Sequence, residues 1–204
     1  EAYIEECVDS ILNQTYQNLR VLVFDDCSTD STLSVLQAIN DPRLHLFPTE
    51  YNLGITGNCN RALSYVETEY FLLIGGDDIM YPHKIEAQLR LLMNDVDACL
   101  CGHPVDVIDE SGNKIGFNSI KFQGGQGLSI WLNNGMIYGA LSLMYKTETI
   151  KTLGLTFNNK LRYSSDWLFV AEMLGKSRRF ISSSEALAGY RRHGGNITSE
   201  KYDE

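Results

Sequence analysis

Hydrophobic positions in the first half of the chain alternate between the period of a helix and the continuous runs of buried strands. Apolar residues recur every three or four positions over residues 1–14, which predicts an amphipathic helix. Short apolar runs predict strands covered on both faces, at residues 19–24, 44–47 and 70–74. Helical patterns follow these runs, at residues 31–39, 58–66 and 82–92. The alternation predicts an α/β fold with a mostly parallel, Rossmann-like sheet flanked by helices.

The second half has a less regular pattern, which predicts a mixed arrangement of strands. We expect strands at 98–109, 139–145 and 179–182, helices at 147–153 and 165–174, a loop at 120–127 and a mobile polar tail from Tyr190. No linker divides the chain, so we expect a single domain over residues 1–204. A doubly wound unit normally begins with a strand, whereas this chain begins with a helical pattern. We therefore expect the first strand of the sheet to be missing from the chain.

Composition narrows the possible functions. The 204 residues carry a formal net charge of −9 with a pI near 4.9, which argues against a nucleic-acid partner. No apolar run has the length of a membrane span, and no signal peptide is visible, although the sequence is compatible with peripheral membrane association. The five cysteines have no disulfide spacing, which predicts a reducing, cytoplasmic compartment.

Cys99, Cys101 and His103 would alternate onto one face of a strand. Two interpretations are open: a zinc site, or free thiols buried in the core. A structural zinc ion normally takes four protein ligands, and no matching pair occurs elsewhere in the chain. Buried thiols are therefore the favoured interpretation.

Two predicted strands each end in a pair of adjacent carboxylates. Asp25 and Asp26 follow the run Leu-Arg-Val-Leu-Val-Phe, and Asp77 and Asp78 follow Tyr-Phe-Leu-Leu-Ile-Gly-Gly. The carboxyl ends of parallel strands meet at one edge of a sheet, where ligands bind. Carboxylates gathered there repel one another unless a cation joins them, and a divalent cation carrying a diphosphate meets that need.

Five segments together resemble the family 2 glycosyltransferases, over nearly the whole chain. The segments are SILNQTYQNLRVLVFDDCSTDST, NLGITGNCNRAL, GGDDIMYPHKIEAQ, YSSDWLFVAEML and YRRHGGNITS, in the order and spacing of that family. The resemblance implies a GT-A fold and, usually, inversion at the transferred sugar. It further implies a nucleotide-binding half at residues 1–97 and an acceptor-binding half at residues 98–204.

The first acidic pair has two interpretations. A carboxylate at a helix start is stabilised by the helix dipole, which explains one member of the pair. The resemblance implies instead that an aspartate here accepts a hydrogen bond from the imide N–H of uracil or a related base, because a carboxylate only accepts. We expect Asp25 and Asp26 in the nucleotide-sugar site, with Asp26 making the base contact.

The second acidic pair is interpreted either as a turn that caps the next helix or as a metal site. The resemblance implies that Asp77 binds Mg²⁺ or Mn²⁺ together with the donor diphosphate. Gly75 stands where the family often has the first aspartate of a D-x-D motif, which leaves the ribose contact to the backbone or to water. Gly76 and Asp78 are expected in the nucleotide-sugar site, although Asp78 alternatively caps the helix.

Three further segments supply candidate residues. Asp166 begins a predicted helix, where a first-turn acid is common, but the resemblance implies that it is the catalytic base. Arg192 and His193 lie in a segment that, in similar enzymes, folds over the donor diphosphate, and an arginine there binds phosphate in bidentate fashion. Asn52, in the N-x-G loop, is expected to line the nucleotide pocket.

The resemblance implies a metal-dependent, inverting hexosyltransferase of surface polysaccharide biosynthesis. Its partners would be a nucleoside-diphosphate sugar, most simply a UDP-sugar, and a glycan or lipid-linked acceptor at the inner face of the plasma membrane. Two alternatives stay open at this stage. One is a sugar-nucleotide nucleotidyltransferase, which would carry a Gly-rich phosphate loop after its first strand. The other is a non-catalytic module that binds nucleotide sugars.

Overall fold

The computed structural model describes residues 1–118, 125–134, 139–161, 164–175 and 179–196. The helices within these ranges are α1 (Ile4–Leu12), α2 (Thr32–Ala38), α3 (Gly54–Ser64), α4 (Lys84–Asn94), α5 (Gly127–Asn134), α6 (Thr147–Leu153) and α7 (Ser165–Leu174). The strands are β1 (Val21–Phe24), β2 (Leu44–Phe47), β3 (Tyr70–Leu72), β4 (Ile79–Met80), β5 (Ala98–Gly102), β6 (Val105–Ile108), β7 (Lys114–Asn118), β8 (Gly125–Gln126), β9 (Met144–Lys146), β10 (Arg179–Ser182) and β11 (Ala188–Arg191).

The strands form three sheets. The central sheet has the order β3-β9-β5-β10-β8, and a smaller sheet has the order β4-β11-β6-β7. β1 and β2 pair in parallel, with Val21 opposite Leu44. Among the described residues, this third sheet shares no strand pairing with the central one. Both parallel and antiparallel pairs occur in the other two sheets, as the less regular second half of the sequence predicts.

The central sheet is covered on both faces. Met144 and Ile181 pack with helix α4 on one face, whereas their neighbours Tyr145 and Phe180 pack with helix α7 on the other. This alternation is that of side chains along a strand. A third apolar cluster joins α1, α2 and the β1–β2 pair. The β1–β2 pair, the central sheet and the helices packed on them thereby hold the loops that follow β1 and β3 in fixed positions.

Three expectations differ from the structure. The single strand predicted at residues 98–109 is two strands in different sheets, divided at His103 and Pro104. Proline lacks the N–H that a ladder needs, and the His103 imidazole bonds to the Pro104 carbonyl, so the chain leaves the central sheet there. The strand predicted at 139–145 begins only at Met144, because residues 140–142 form a 3₁₀ turn closed by the Ser142 hydroxyl.

The tail also differs from the prediction. Residues from Tyr190 were expected to be mobile, but β11 includes Tyr190 and hydrogen bonds fix the chain as far as Asn196. Residues 119–124, most of the loop predicted at 120–127, lie outside the described residues, and Gly125–Gln126 forms β8. The described part of the chain has no helix with the length and hydrophobicity of a membrane span.

Candidate active site

The loop after β1 gives its two aspartates different surroundings. Asp25 is buried, and its carboxylate accepts a hydrogen bond of 3.0 Å from the Ser28 N–H, which closes the turn. Asp26 is half-buried, and its Oδ1 accepts a hydrogen bond of 2.7 Å from the Leu53 N–H. No described residue donates to the other oxygen of Asp26. Asp26, the more exposed member of the pair, therefore has an acceptor oxygen available for a ligand.

The N-x-G loop is tied to the loop after β1. Asn52 donates to the Asp26 carbonyl at 3.2 Å, and its own Oδ1 accepts from the Gly54 N–H at 3.0 Å. The side chain of Asn52 thus bridges two loops at the edge of the site. Arg61, on helix α3, donates to the carbonyls of Phe47 and Pro48 and so anchors the end of β2.

Asp26 and Asp166 both act electrostatically on one thiol. Burial, followed by the negative charges of Asp166 and then Asp26, raises the pKa of Cys59, on α3, to about 11. Burial also raises the pKa of the Tyr145 phenol, with added contributions from Asp166 and Cys59. The charges of two candidate site residues from distant parts of the sequence therefore act on one region of the molecule.

Asp166 lies in the first turn of α7 and is half-buried. Its Oδ1 accepts from the Trp167 N–H at 2.9 Å. The neighbouring Ser165 hydroxyl bonds to the Asn158 carbonyl, and the buried Trp131 indole donates to the Trp167 carbonyl at 3.1 Å. These bonds fix the helix start, so the carboxylate has a defined position.

Two unusual backbone conformations lie beside these carboxylates. Cys27, directly after Asp26, has φ +66°, and Ser164, two residues before Asp166, has φ +59°. Among the described residues, no other non-glycine residue has a positive φ. Side chains make this conformation costly, and such residues concentrate at functional sites. The sequence carries no signal for them, because neither residue type favours the left-handed region.

The Asp77 carboxylate has one oxygen held and one available. Oδ2 lies 3.1 Å from His193 Nε2 and accepts from Asn196 Nδ2 at 3.2 Å. No described residue donates to Oδ1, which lies above Gly75: a Cβ on that glycine would come within 2.6 Å of it. The glycine in place of the expected aspartate thus leaves space for the carboxylate.

Asp77 fits a magnesium or manganese ion that is shared with a diphosphate. In the described part of the chain, no group of three or more His, Cys, Asp or Glu side chains is arranged to hold a metal ion. Mg²⁺, however, is commonly bound by one or two carboxylates, with substrate phosphates and water completing its shell. A single carboxylate with an available hard oxygen meets that requirement.

Asp78 lies beneath the turn and Gly76 lies at its surface. Asp78 is buried, and burial raises the pKa of its carboxyl to about 7. The hydrogen bond of 2.9 Å that it accepts from the Arg191 N–H lowers this pKa, and the charge of Asp77 raises it. Gly76 is exposed. The two residues expected to accompany Asp77 therefore differ in their access to a ligand.

Arg191, the last residue of β11, and the next residue, Arg192, have different surroundings, which the sequence does not reveal. Arg192, the predicted phosphate ligand, is exposed, and its guanidinium lies 5.1 Å from the centre of the Tyr190 ring. Arg191 is buried, and its Nε donates to the Asp77 carbonyl at 2.7 Å. Sequence reasoning missed Arg191, because a pattern of adjacent arginines does not show which one faces the interior.

Comparisons with known proteins identify the family of the chain. The family model "Glycosyl transferase family 2" matches residues 1–151. An uncharacterized glycosyltransferase of Haemophilus influenzae is 31% identical over all of this chain and 65% of its own length. The Escherichia coli UDP-Glc:alpha-D-GlcNAc-diphosphoundecaprenol beta-1,3-glucosyltransferase WfgD is 26% identical over all of this chain and 78% of its own.

A solved structure has the same fold. The crystal structure of S. aureus TarS 1–349 in complex with UDP-GlcNAc superposes with a TM-score of 0.82, at 22% identity, over 99% of this chain and 58% of that one. This similarity confirms the predicted GT-A fold. The chain spans about two thirds of the H. influenzae relative and less of TarS. Because the family model covers most of the chain and a 31% identical relative aligns along all of it, the chain belongs to glycosyl transferase family 2.

Proposed function

We propose that this chain transfers a sugar from a nucleoside-diphosphate sugar to an acceptor hydroxyl, with inversion at the anomeric carbon. The observation that carries the proposal is that helix α3 connects the surroundings of Asp26 and Asp166. Asp26 accepts a hydrogen bond of 2.7 Å from the Leu53 N–H, directly before α3. Asn60 of α3 bonds to the Phe157 main chain, in the segment that precedes Asp166, and the charges of both aspartates raise the pKa of Cys59 on the same helix. A base-binding carboxylate and a proton-accepting carboxylate must border one cleft if a donor is to lie between them. Family membership favours this function over a nucleotidyltransferase.

In the proposed donor complex, the half formed by residues 1–97 binds the nucleotide. The available oxygen of Asp26 accepts the imide N–H of the base, while Asp25 and Asn52 hold the loops around it. The exposed Arg192 binds phosphate, and the exposed Gly76 lies at the surface of the turn that carries Asp77. Asp78 supports the site through its bond to the Arg191 N–H.

Asp77, with His193 and Asn196 behind it, would hold Mg²⁺ or Mn²⁺ at the diphosphate. The bound ion would neutralise the negative charge that develops on the departing nucleoside diphosphate. The protein's own part is to fix the Asp77 carboxylate: His193 and Asn196 donate to one oxygen and leave the other directed away from them. This arrangement supports metal dependence for the reaction.

Asp166 acts on the acceptor, which the half formed by residues 98–204 binds. Its carboxylate takes the proton of the acceptor hydroxyl as that oxygen attacks the anomeric carbon. Attack from the side opposite the leaving nucleotide inverts the configuration in a single displacement. The first turn of α7 holds the base in place, so the reacting groups meet without further ordering.

We propose a UDP-sugar as donor and a lipid-linked glycan as acceptor. TarS was crystallised with UDP-GlcNAc, and the name of WfgD gives it a UDP-glucose donor and an undecaprenol-diphosphate-linked acceptor. These are properties of those proteins, and they support the same substrate classes here. A lipid-linked acceptor would bring this chain to the cytoplasmic face of the plasma membrane, where it would contribute to surface polysaccharide.

The proposal is tested by thermal unfolding with UDP, GDP, TDP and CMP sugars, each with and without Mn²⁺. We expect UDP-sugars with Mn²⁺ to stabilise the protein by about 3 kcal/mol at a hundredfold excess over Kd. Asp77→Ala should lose the metal-dependent part of this shift, whereas the control Asp9→Ala, at an exposed acid on α1, should keep it. A shift that does not depend on Mn²⁺ would contradict the proposed metal site, and no shift with any of these sugars would contradict the proposed donor site.

A further inference from the structure

Arg191 is fully buried and connects its own strand, β11, to three other segments of the chain. It is 1% exposed, and every nitrogen of its guanidinium is bonded. Nε donates to the Asp77 carbonyl at 2.7 Å, and Nη1 donates to the Asp109 and Glu110 carbonyls at 3.2 and 3.1 Å. Nη2 pairs with the Glu6 carboxylate on α1. The guanidinium of Arg191 therefore has no nitrogen left over for a phosphate.

The main chain of Arg191 supports the same turn. Its N–H donates to Asp78 Oδ1 at 2.9 Å, and its carbonyl accepts from Asn196 Nδ2 at 3.1 Å. The same Asn196 nitrogen lies 3.2 Å from Asp77 Oδ2. Arg191 thus holds the main chain of Asp77 directly. It also positions Asn196, which bonds to the side chain of Asp77.

Helix α1 provides the other end of this connection. The guanidinium carbon of Arg191 lies 4.7 Å from the centre of the Tyr3 ring, and the same ring lies 5.0 Å from that of His193. Cys7 adds a bond from its thiol to the Gly75 carbonyl at 3.4 Å. One side of α1 therefore packs against the turn that carries Asp77 and against the segment that contacts its carboxylate.

We propose that Arg191 is a positioning residue for the metal and diphosphate site. It fixes the Asp77 main chain so that the available carboxylate oxygen keeps its direction. The inference rests on the proposed role of Asp77. Only the planar guanidinium, with its five donors, reaches acceptors in all of these segments; a lysine has a single nitrogen. Arg191 touches neither donor nor metal and acts through Asp77.

The test is Arg191→Lys, which keeps the charge beside Glu6 but loses the fork of donors. Mn²⁺ is titrated by calorimetry into protein saturated with UDP. We expect the apparent Kd of Mn²⁺ to rise at least tenfold, in the range found for residues that support metal ligands, while UDP binding without metal is unchanged. The matched control is Arg43→Lys, because Arg43 bonds Asp41 and Gln17 away from this turn. An unchanged Mn²⁺ Kd in Arg191→Lys would overturn the inference.

Two further variants separate the possible failures. Asp77→Asn should abolish metal-dependent UDP binding; if metal dependence survives, the proposed metal site is wrong. If Asp77→Asn loses it while Arg191→Lys binds Mn²⁺ normally, the inference about Arg191 alone fails. Should Arg191→Lys not fold, Glu6→Gln replaces it, with Glu5→Gln as its control. Weaker Mn²⁺ binding in Glu6→Gln alone supports the inference, and equal binding in the two overturns it.

Discussion

The imidazole Nε2 of His193 lies 3.1 Å from Oδ2 of Asp77, although 116 positions separate the two residues in the chain. The Gly195 N–H donates to the opposite ring nitrogen, Nδ1, at 3.1 Å. This pattern assigns the imidazole proton to Nε2, so that His193 donates to the carboxylate. The segment after β11 is therefore part of the Asp77 site before any donor binds.

Removal of the imidazole should weaken metal-dependent donor binding. In His193→Ala, Asp77 Oδ2 loses one of its two donors, and the carboxylate becomes free to rotate. We expect the Kd of UDP in the presence of Mn²⁺ to rise about 10- to 100-fold, as measured by calorimetry. The control is His45→Ala, at an exposed position on β2. Equal affinities in the two variants would show that His193 has no such role.

Gly75 should not tolerate a side chain. A Cβ at this position would lie 2.6 Å from Asp77 Oδ1, so Gly75→Ala must displace the carboxylate oxygen that is available for the metal. We expect Gly75→Ala to lower Mn²⁺ affinity about tenfold while the unfolding temperature changes little. Gly139→Ala is the control, since a Cβ there meets no atom of the described residues within 4 Å. The prediction fails if both alanine variants bind Mn²⁺ like the unsubstituted chain.

Asp166→Asn should separate chemistry from donor binding. The amide cannot accept the acceptor's proton, so we expect kcat to fall about 10²- to 10⁴-fold while the KM for the UDP-sugar stays the same. UDP release is followed with a lipid-linked acceptor that supports turnover of the unsubstituted chain. Glu172→Gln, at an exposed position on the same helix, should retain full activity. Turnover by Asp166→Asn at the original rate would exclude it as the base.

Local pattern was enough to predict the elements that carry the site. The helix predicted at residues 147–153 has those bounds in the structure, and Gly154, in the left-handed conformation at φ +61°, ends it. Asp166 lies in a first helical turn, as predicted. These features depend on neighbours in sequence, and the hydrophobic period reports such neighbours directly.

Long-range contacts account for what the sequence did not predict. The antiparallel pairing of β3 with β9 joins Tyr70 to Lys146, and no turn signal links segments so distant. The same holds for Arg191, whose guanidinium bonds to three main-chain carbonyls and to the distant Glu6 carboxylate. Every residue type has a main-chain carbonyl, so the sequence does not show which carbonyls are partners. Arg192 is exposed, whereas its buried neighbour Arg191 was recognised only from its contacts.

A buried lysine should give the protein a distinctive pH dependence. Lys84 is fully buried: Nζ donates to Gln88 at 2.7 Å and lies 2.6 Å from His103 Nε2. Burial lowers the pKa of Lys84 from 10.5 to about 7, although the nearby Cys101 raises it. Burial, followed by the charge of Lys84, lowers the pKa of His103 to about 2. Both groups therefore favour their neutral forms in the folded protein.

The sign of the effect follows from proton uptake on unfolding. Between pH 7 and 10.5 the unfolded lysine is protonated while the folded one is largely neutral, so the free energy of unfolding rises with pH. The slope reaches at most about 1.4 kcal/mol per pH unit for one proton. Below pH 7 Lys84 is protonated in both states and contributes no slope. His103 contributes separately, as stability lost when pH falls from 6.5 towards 2.

Urea unfolding from pH 6 to 8 tests this dependence, in a range below the ordinary thiol pKa of about 8.5. We expect the free energy of unfolding of the original chain, minus that of Lys84→Met, to be flat up to pH 7 and to rise above it. Lys151→Met, at an exposed lysine on α6, should give a difference that does not vary with pH. If the Lys84→Met difference is equally flat across the range, then Lys84 is charged in the folded protein and the hydrogen bonds to Gln88 and His103 hold an ammonium group.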